Sequence, residues 1–237
     1  MAYMNNVRDG REANIFLCSF AAAKATSCTE GHVYAITKKA ASASGFGDLK
    51  VGELFVAVGT ITPADGDECV EVTPKFIGGA TDKELNREKT SNDVTCDKDE
   101  SAVYISDGKV SVSGSISLYS LIQSPDSAAN QIKQRFMDIN TYGEDGKLKK
   151  YSKDRTEKDF LMFVWDARNL QEGEYAEVDF VAGLITSLGH QSSYGSPPSM
   201  PVSFNGNDSD DQGHRSSNMQ FKVSDEFIQQ IENWKSA

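Results

Sequence analysis

The sequence predicts a mainly β protein: a β-sandwich with a flanking amphipathic α-helix, long loops and terminal extensions. Three observations carry this. Val110, Val112, Ile116 and Leu118 alternate with Ser111, Ser113, Ser115 and Ser117, the period-two signature of a strand with one packed face and one wet face. Phe160 to Trp165 and Leu54 to Thr62 are apolar on both faces, as a strand covered on two sides must be. Clusters of Gly, Pro, Asp and Ser separate these runs, the punctuation of an all-β chain.

The chain has 237 residues, a length compatible with one β domain plus extensions. Hydrophobic residues make up 38%, below the usual globular share, so much of the chain is expected to be strand edge, loop or arm. The expected organisation is an N-terminal arm over 1–30, a β-sandwich domain over 31–206, and a C-terminal extension with a strand and a helix over 207–237.

Met1 to Glu30 shows no clear period and reads as an arm. Val33 to Thr37 is a short strand. Lys38 to Asp48, rich in Ala, Ser and Gly, is a flexible loop. Leu54 to Thr62 and Cys69 to Ile77 flank Asp65-Gly66 and read as a hairpin; Pro74 marks an edge or a bulge in the second strand. Gly78 to Glu100 is a long polar stretch, read as a loop. Ser124-Pro125-Asp126 combines an N-cap, a first-turn proline and an acid. Ala128, Ala129, Ile132, Phe136 and Ile139 then share one side at helical spacing. After a charged loop, Phe160 to Trp165 is a central strand and Tyr175 to Leu188 a long one. Met200 to Phe204 and Met219 to Val223 complete the strands. Ser224, Asp225 and Glu226 open a last helix with Phe227, Ile228, Ile231 and Trp234 on one face.

Little in the sequence points to chemistry. His32, His190 and His214 lie in or beside loops. There is no G-x-S-x-G elbow and no Gly-rich phosphate loop. Cys18, Cys28 and His32 have the wrong spacing for a zinc knuckle. Asn207-Asp208-Ser209-Asp210-Asp211 is the best calcium candidate among three acidic clusters, but a charge run of this kind reads as a solvated loop. The four cysteines, Cys18, Cys28, Cys69 and Cys96, form no C-x-x-C pair, and the start of the chain is polar rather than signal-like, so reduced cytosolic thiols are expected. No apolar run is long enough to span a bilayer. No enzyme activity, cofactor, metal or membrane partner is therefore expected. The net charge of −11 argues against gripping a phosphate backbone, which requires cationic side chains, yet suits a surface past which DNA slides.

An ordered set of motifs is more specific. Asp93-Val94-Thr95 is followed by a charged spacer and the serine strand Ser111-Val112-Ser113-Gly114-Ser115. The helix from Asp126 to Ile139, Ile185-Thr186-Ser187-Leu188 and Ser203-Phe204-Asn205-Gly206 come next. In order and spacing, from Leu85 to Gly206, this resembles the tail-tube proteins of long-tailed (siphovirus-type) bacteriophages. The resemblance implies a tail-tube fold and a structural role in the virion tail. Hexameric rings would be assembled in the host cytoplasm and stacked into a hollow tube around a tape-measure protein, between tail-tip and terminator proteins. DNA would pass through the lumen without specific binding.

On that reading the stretch containing Asp82, Glu84, Arg87, Glu88 and Asp93 is an inter-ring loop. The row Ser111, Ser113, Ser115 and Ser117 lines the lumen, and the arm 1–30 ties subunits together while being dispensable for folding. The alternatives are a tube, connector or decoration subunit of a related phage or injection machine, or a surface-binding β-sandwich module. Filament formation separates the first group, and an exposed aromatic patch would mark the last.

Overall fold

A computed structural model describes residues 13–77, 80–95, 102–119, 139–142, 145–151, 159–165, 170–195, 198–206 and 215–236. The chain is mainly β, built on a ten-stranded antiparallel sheet with one helix among the described residues. In chain order the strands are β1 (Asn14–Lys24), β2 (Val33–Lys38), β3 (Leu54–Val56), β4 (Glu68–Phe76), β5 (Ala80–Thr95) and β6 (Ala102–Tyr119). There follow β7 (Ile139–Tyr142), β8 (Leu148–Tyr151), β9 (Asp159–Val164), β10 (Tyr175–Leu188), β11 (Ser199–Gly206) and β12 (Ser217–Lys222), and then the helix α1 (Asp225–Ser236). The sheet order is β3-β2-β4-β1-β9-β10-β11-β6-β5, with β12 also paired to β10 and with β7-β8 as a separate hairpin.

The long strand β10 makes this order possible. Its first half, Tyr175 to Phe180, pairs with β12, and its second half, Gly183 to Leu188, pairs with β11. One strand thus belongs to two layers. At the far end, the lead-in to β12 meets β3: Glu53 bridges Arg215, the Arg215 N–H donates to the Gly52 carbonyl at 2.6 Å, and the Ser217 hydroxyl to the Leu54 carbonyl at 3.1 Å. The run β3-β2-β4-β1-β9-β10-β12 therefore curls round until its end strands meet, through one isolated bridge and these hydrogen bonds instead of a ladder, which partly covers the edges of β3 and β12.

All seven of these strands contribute to one core, among them Phe16, Val33, Leu54, Val72, Met162, Phe180 and Phe221. Helix α1 seals it. Ser224 caps the helix, its hydroxyl accepting from the Phe227 N–H at 3.4 Å, as a serine at that position should. Phe227, Ile231 and Trp234, at helical spacing, are buried in the same core. Trp234 meets Phe16 edge-on at 5.8 Å, and Phe227 meets Phe221 at 5.0 Å.

A second core lies behind the same sheet. Ile15 and Leu17 of β1, Leu161 and Phe163 of β9, and Val181 of β10 meet Met200, Val202 and Phe204 of β11 and Val112, Ile116 and Leu118 of β6. Alternation along β9 divides its side chains: Phe160, Met162 and Val164 enter the first core, Leu161 and Phe163 the second. The two-sided apolar run is thus a central strand, flanked by β1 and β10. A third cluster, including Cys28, Tyr34, Ile36, Phe46, Phe55 and Cys69, covers the outside of β2, β3 and β4.

Several expectations are corrected. The segment 14–24, read within an arm, is an interior strand between β4 and β9, with Ile15, Phe16 and Leu17 at 2% exposure or less. Residues 1–12 lie outside the described residues. The expected hairpin between Leu54 and Ile77 is not formed: β2 stands between β3 and β4 and pairs with both. Pro74 is nevertheless well placed, past Val72, the last β4 residue paired to β2. The stretch 80–95, read as loop, is a sixteen-residue strand. The strand and helix of the expected C-terminal extension are present, but they close and seal the first core instead of being appended to it. Residues 120–138, which hold most of the expected internal helix, lie outside the described residues, and Ile139 begins β7.

The loop after β2 is less free than its composition implies. Phe46 is buried, and the Lys39 ammonium donates to the carbonyls of Gly47 and Leu49. The Asp67 carboxylate accepts the backbone N–H groups of Ala40, Gly45 and Ala64 at 2.7–2.9 Å. Partial desolvation acts to raise the Asp67 pKa, but these hydrogen bonds and one from Ser44 outweigh it and hold the carboxyl at about 2.

Two predictions follow from this packing. Removing residues 1–30 takes β1 from the middle of the sheet, so the truncated chain is expected to show no cooperative urea transition by circular dichroism; a folded truncated monomer would refute the placement of β1. Because the folded pKa of Asp67 is depressed, its contribution is present above the unfolded value of 3.8 and lost as pH falls toward about 2. Between pH 4 and pH 2 the urea midpoint should fall more steeply for the wild type than for Asp67→Asn, and parallel curves would show that the carboxylate holds nothing.

Candidate functional site

The register brings the four serines together with Asp82, Glu84 and Glu88 but not with Arg87 or Asp93. Directly opposite residues of an antiparallel pair point to the same side. The register of β5 against β6 sets Asp82 opposite Ser117, Glu84 opposite Ser115, Asn86 opposite Ser113 and Glu88 opposite Ser111. On its other side β6 faces β11, with Ser115 opposite Ser203 and Ser113 opposite Asn205. Ser187 of β10 in turn pairs with Ser203. One row, Ser187, Ser203, Ser115 and Glu84, therefore crosses four strands. Glu84, Asn86, Glu88, Ser111 and Asn205 are exposed, and Ser113, Ser115 and Ser117 are half-buried. The result is a hydroxyl-rich surface whose carboxylates are gathered toward β5, with no lysine or arginine among the residues named.

The reverse of this face is apolar because the alternate residues of the same strands build the second core. Gly114 interrupts the β6 sequence Val112, Ile116, Leu118 for a steric reason. It stands opposite Phe204, and a Cβ there would lie 2.5 Å from the Phe204 ring and against the Glu84 carbonyl oxygen. The missing side chain is the space that the phenylalanine fills.

The hairpin β5–β6 is much longer than the layer it belongs to. Pairing of β6 with β11 stops at Val112, whereas pairing with β5 continues to Ala102 opposite Thr95. Ten residues of β6, about 33 Å at the usual rise, thus extend past β11. Along its whole length β5 has β6 as its one strand neighbour among the described residues. Asp93, at the register position opposite Ile105, belongs to this extension. The expected inter-ring loop is therefore a hairpin arm.

Arg87 lies on the other side of β5 from Glu84, Asn86 and Glu88, at the register position of the buried Val112. Its guanidinium donates to Asp179 Oδ1 at 2.6 Å and to the Ser217 carbonyl at 2.8 Å. Asp179, 5% exposed, also accepts from Trp165 Nε1 at 2.7 Å and from Asn218 Nδ2 at 2.9 Å. These groups, with Leu85 and Glu177, line a cleft of about 510 Å³. Since three side-chain donors already converge on the carboxylate, the arrangement is a clamp: it ties β5 across to β10 and β12, and so ties the hairpin layer to the curled sheet. The separation of 92 residues between Arg87 and Asp179 kept the pair out of reach of sequence reasoning.

The cysteine and histidine candidates do not converge. Cys18 lies in the first core and Cys28 in the third cluster, while His32 Nδ1 is 2.8 Å from Glu71. Among the described residues no group of three His, Cys, Asp or Glu could hold a metal ion, and no helix is long and apolar enough to cross a membrane. Cys96, His214 and the acidic run 207–211 lie outside the described residues.

No protein-family model matches the sequence, and no curated protein matches it. Among solved structures, a chain from the virion of a native gene transfer agent particle superposes with a TM-score of 0.38 at 13% identity, covering 62% of this chain and 88% of that one. A superposition that loose carries no inference about role.

Replacing Arg87 with alanine leaves the buried Asp179 charge without its cation. The variant is expected to lose about 3 kcal/mol of stability and to exchange the β5 amides faster, read by urea unfolding and hydrogen exchange. Unchanged exchange in β5 would mean that the clamp does not hold the hairpin.

Proposed function

We propose that this chain is a structural virion protein that polymerises, as stacked hexameric rings, into the tail tube through which a phage delivers DNA. The observation that carries the reading is the hairpin β5–β6: a sixteen-residue edge strand with one strand neighbour among the described residues, on an arm extending past β11. A long uncovered edge is a template for pairing with another chain, and a protein that keeps one either aggregates or assembles through it. Closing six such edges around a ring is the assembly use, and the arm supplies reach to the next ring. The ordered motifs from Leu85 to Gly206 that resemble tail-tube proteins support the same conclusion.

The polar face gives the ring an inside. Rows of Ser111, Ser113, Ser115 and Ser117 beside Glu84 and Glu88 offer hydroxyls that hydrate well and carboxylates that repel phosphate. A lumen of this composition lets DNA pass without holding it. The role is structural and non-catalytic, with neither cofactor nor metal. Its partners on this reading are further copies of the chain, a tape-measure protein, and the proteins that start and end the tube. Among the described residues no observation favours a surface-binding module: the exposed large hydrophobic residues Val51, Val58, Tyr175 and Tyr194 sit on separate segments and supply no aromatic platform.

Negative-stain electron microscopy of the concentrated protein, with light scattering alongside, tests the reading. Hollow tubes are expected; single rings would indicate a connector, and monomers in the presence of the tape-measure and tip proteins would overturn the tube. Glu84→Lys combined with Glu88→Lys should leave assembly intact but make the tubes retain DNA at low salt and release it as salt rises. Assembled double-variant tubes that ignore DNA would remove these carboxylates from the lumen.

A further inference from the structure

We propose that Cys28 and Cys69 are a disulfide site, joined when the protein meets a low-molecular-weight disulfide such as oxidised glutathione. Their sulfur atoms lie 3.6 Å apart, although 41 residues separate them in sequence. The backbone on both sides is held. Cys28 is bridged to Ile61 by hydrogen bonds of 2.8 and 3.0 Å in the two directions, and the Cys69 carbonyl accepts the Ala25 N–H at 2.8 Å. A disulfide brings the sulfurs to about 2.0 Å, so the remaining approach is about 1.6 Å, within reach of side-chain rotation.

Among the described residues nothing else engages the pair strongly. The further contact of the Cys69 thiol is a 4.0 Å approach to the Ala25 carbonyl. Both residues are fully buried, among Tyr34, Ile36, Phe46 and Phe55. Cys18 stands in a different core, so the pairing has one outcome among these three thiols.

Burial also sets how the bond forms. It pushes the Cys28 thiol up to about 12 and the Cys69 thiol upward as well, so neither reacts while the cluster is closed. When the segment around Cys28 opens, one thiolate attacks the small disulfide and expels one small thiolate. The second protein thiolate then attacks the mixed disulfide and expels the other. Two protein S–H bonds are lost and one S–S bond forms, while the small disulfide is reduced to two thiols that carry away the protons. The site is thus suited to a protein that folds reduced and is oxidised later. The link encloses β2 and β3, joining the chain after β1 to the start of β4.

The test uses the full chain and does not depend on whether it forms tubes. Protein is incubated with oxidised glutathione, with and without mild urea to permit opening, then refolded, alkylated and digested with trypsin. Before alkylation the oxidised chain is expected to be lighter than the reduced chain by about 2 Da; after alkylation and digestion it yields peptide 25–38 joined to peptide 51–75, with Cys18 alkylated. Its thermal midpoint is expected to rise by about 5–10 °C. Cys28→Ser and Cys69→Ser should each abolish the joined peptide and the rise. Free alkylated thiols at both positions after opening and refolding, or linkage of either to Cys18 or Cys96, would overturn the proposal.

Discussion

Burial of β9 on both faces is the constraint on which the rest depends. A strand of six residues with Phe160, Met162 and Val164 on one side and Leu161 and Phe163 on the other cannot be satisfied by one layer. It demands cover in front and behind. The curled sheet supplies the first and the β11–β6–β5 layer the second. Strand β10 serves both because it changes partner halfway along, from β12 to β11. The Arg87–Asp179 pair then fastens the two layers at their margin, where apolar contact gives way to solvent.

The polar face is a by-product of the same packing before it is anything functional. Once Val112, Ile116, Leu118, Val202 and Phe204 are committed to the second core, alternation sends Ser111, Ser113, Ser115 and Ser203 outward. Composition alone decides what the outward row is good for. Here it is serine with glutamate on β5, a surface that offers neither grease nor cations to a passing chain. On the tube reading, the stability of the subunit and the slipperiness of its lumen are opposite faces of the same three strands.

What was legible in the sequence depended on whether a strand announced its period with apolar residues. Val110 to Leu118 and Tyr175 to Leu188 did, and so did the capped helix at Ser224. Strand β5 did not, because the positions that share a side with the second core carry a half-buried Leu85 and an exposed Arg87 between the exposed Glu84, Asn86 and Glu88; charge masked the period, and the strand passed for a loop. Strand β1 failed differently. Its buried residues, Ile15 to Cys18, run consecutively because it is covered on both faces, and the small residues Ala21 to Ala23 after them diluted the signal. Pairings between distant segments had no local trace: β2 inserted between β3 and β4, Asp179 under Arg87, and Cys28 beside Cys69 are all products of topology.

The place of β1 has a kinetic consequence. Asn14 pairs with Val164, and Phe16 with both Phe76 and Met162, so the middle of the sheet joins residues separated by more than half the chain. Such contacts must close large loops before they return any stability, and chains dominated by them fold slowly, on the order of milliseconds to seconds for β proteins. Until β9 arrives, β1 has one open side and β5 stands ready to pair with whatever is near. On the tube reading, a slow-folding subunit with a sticky edge is safest when few of its copies are unfinished at once, so that its rate of synthesis would become part of its assembly.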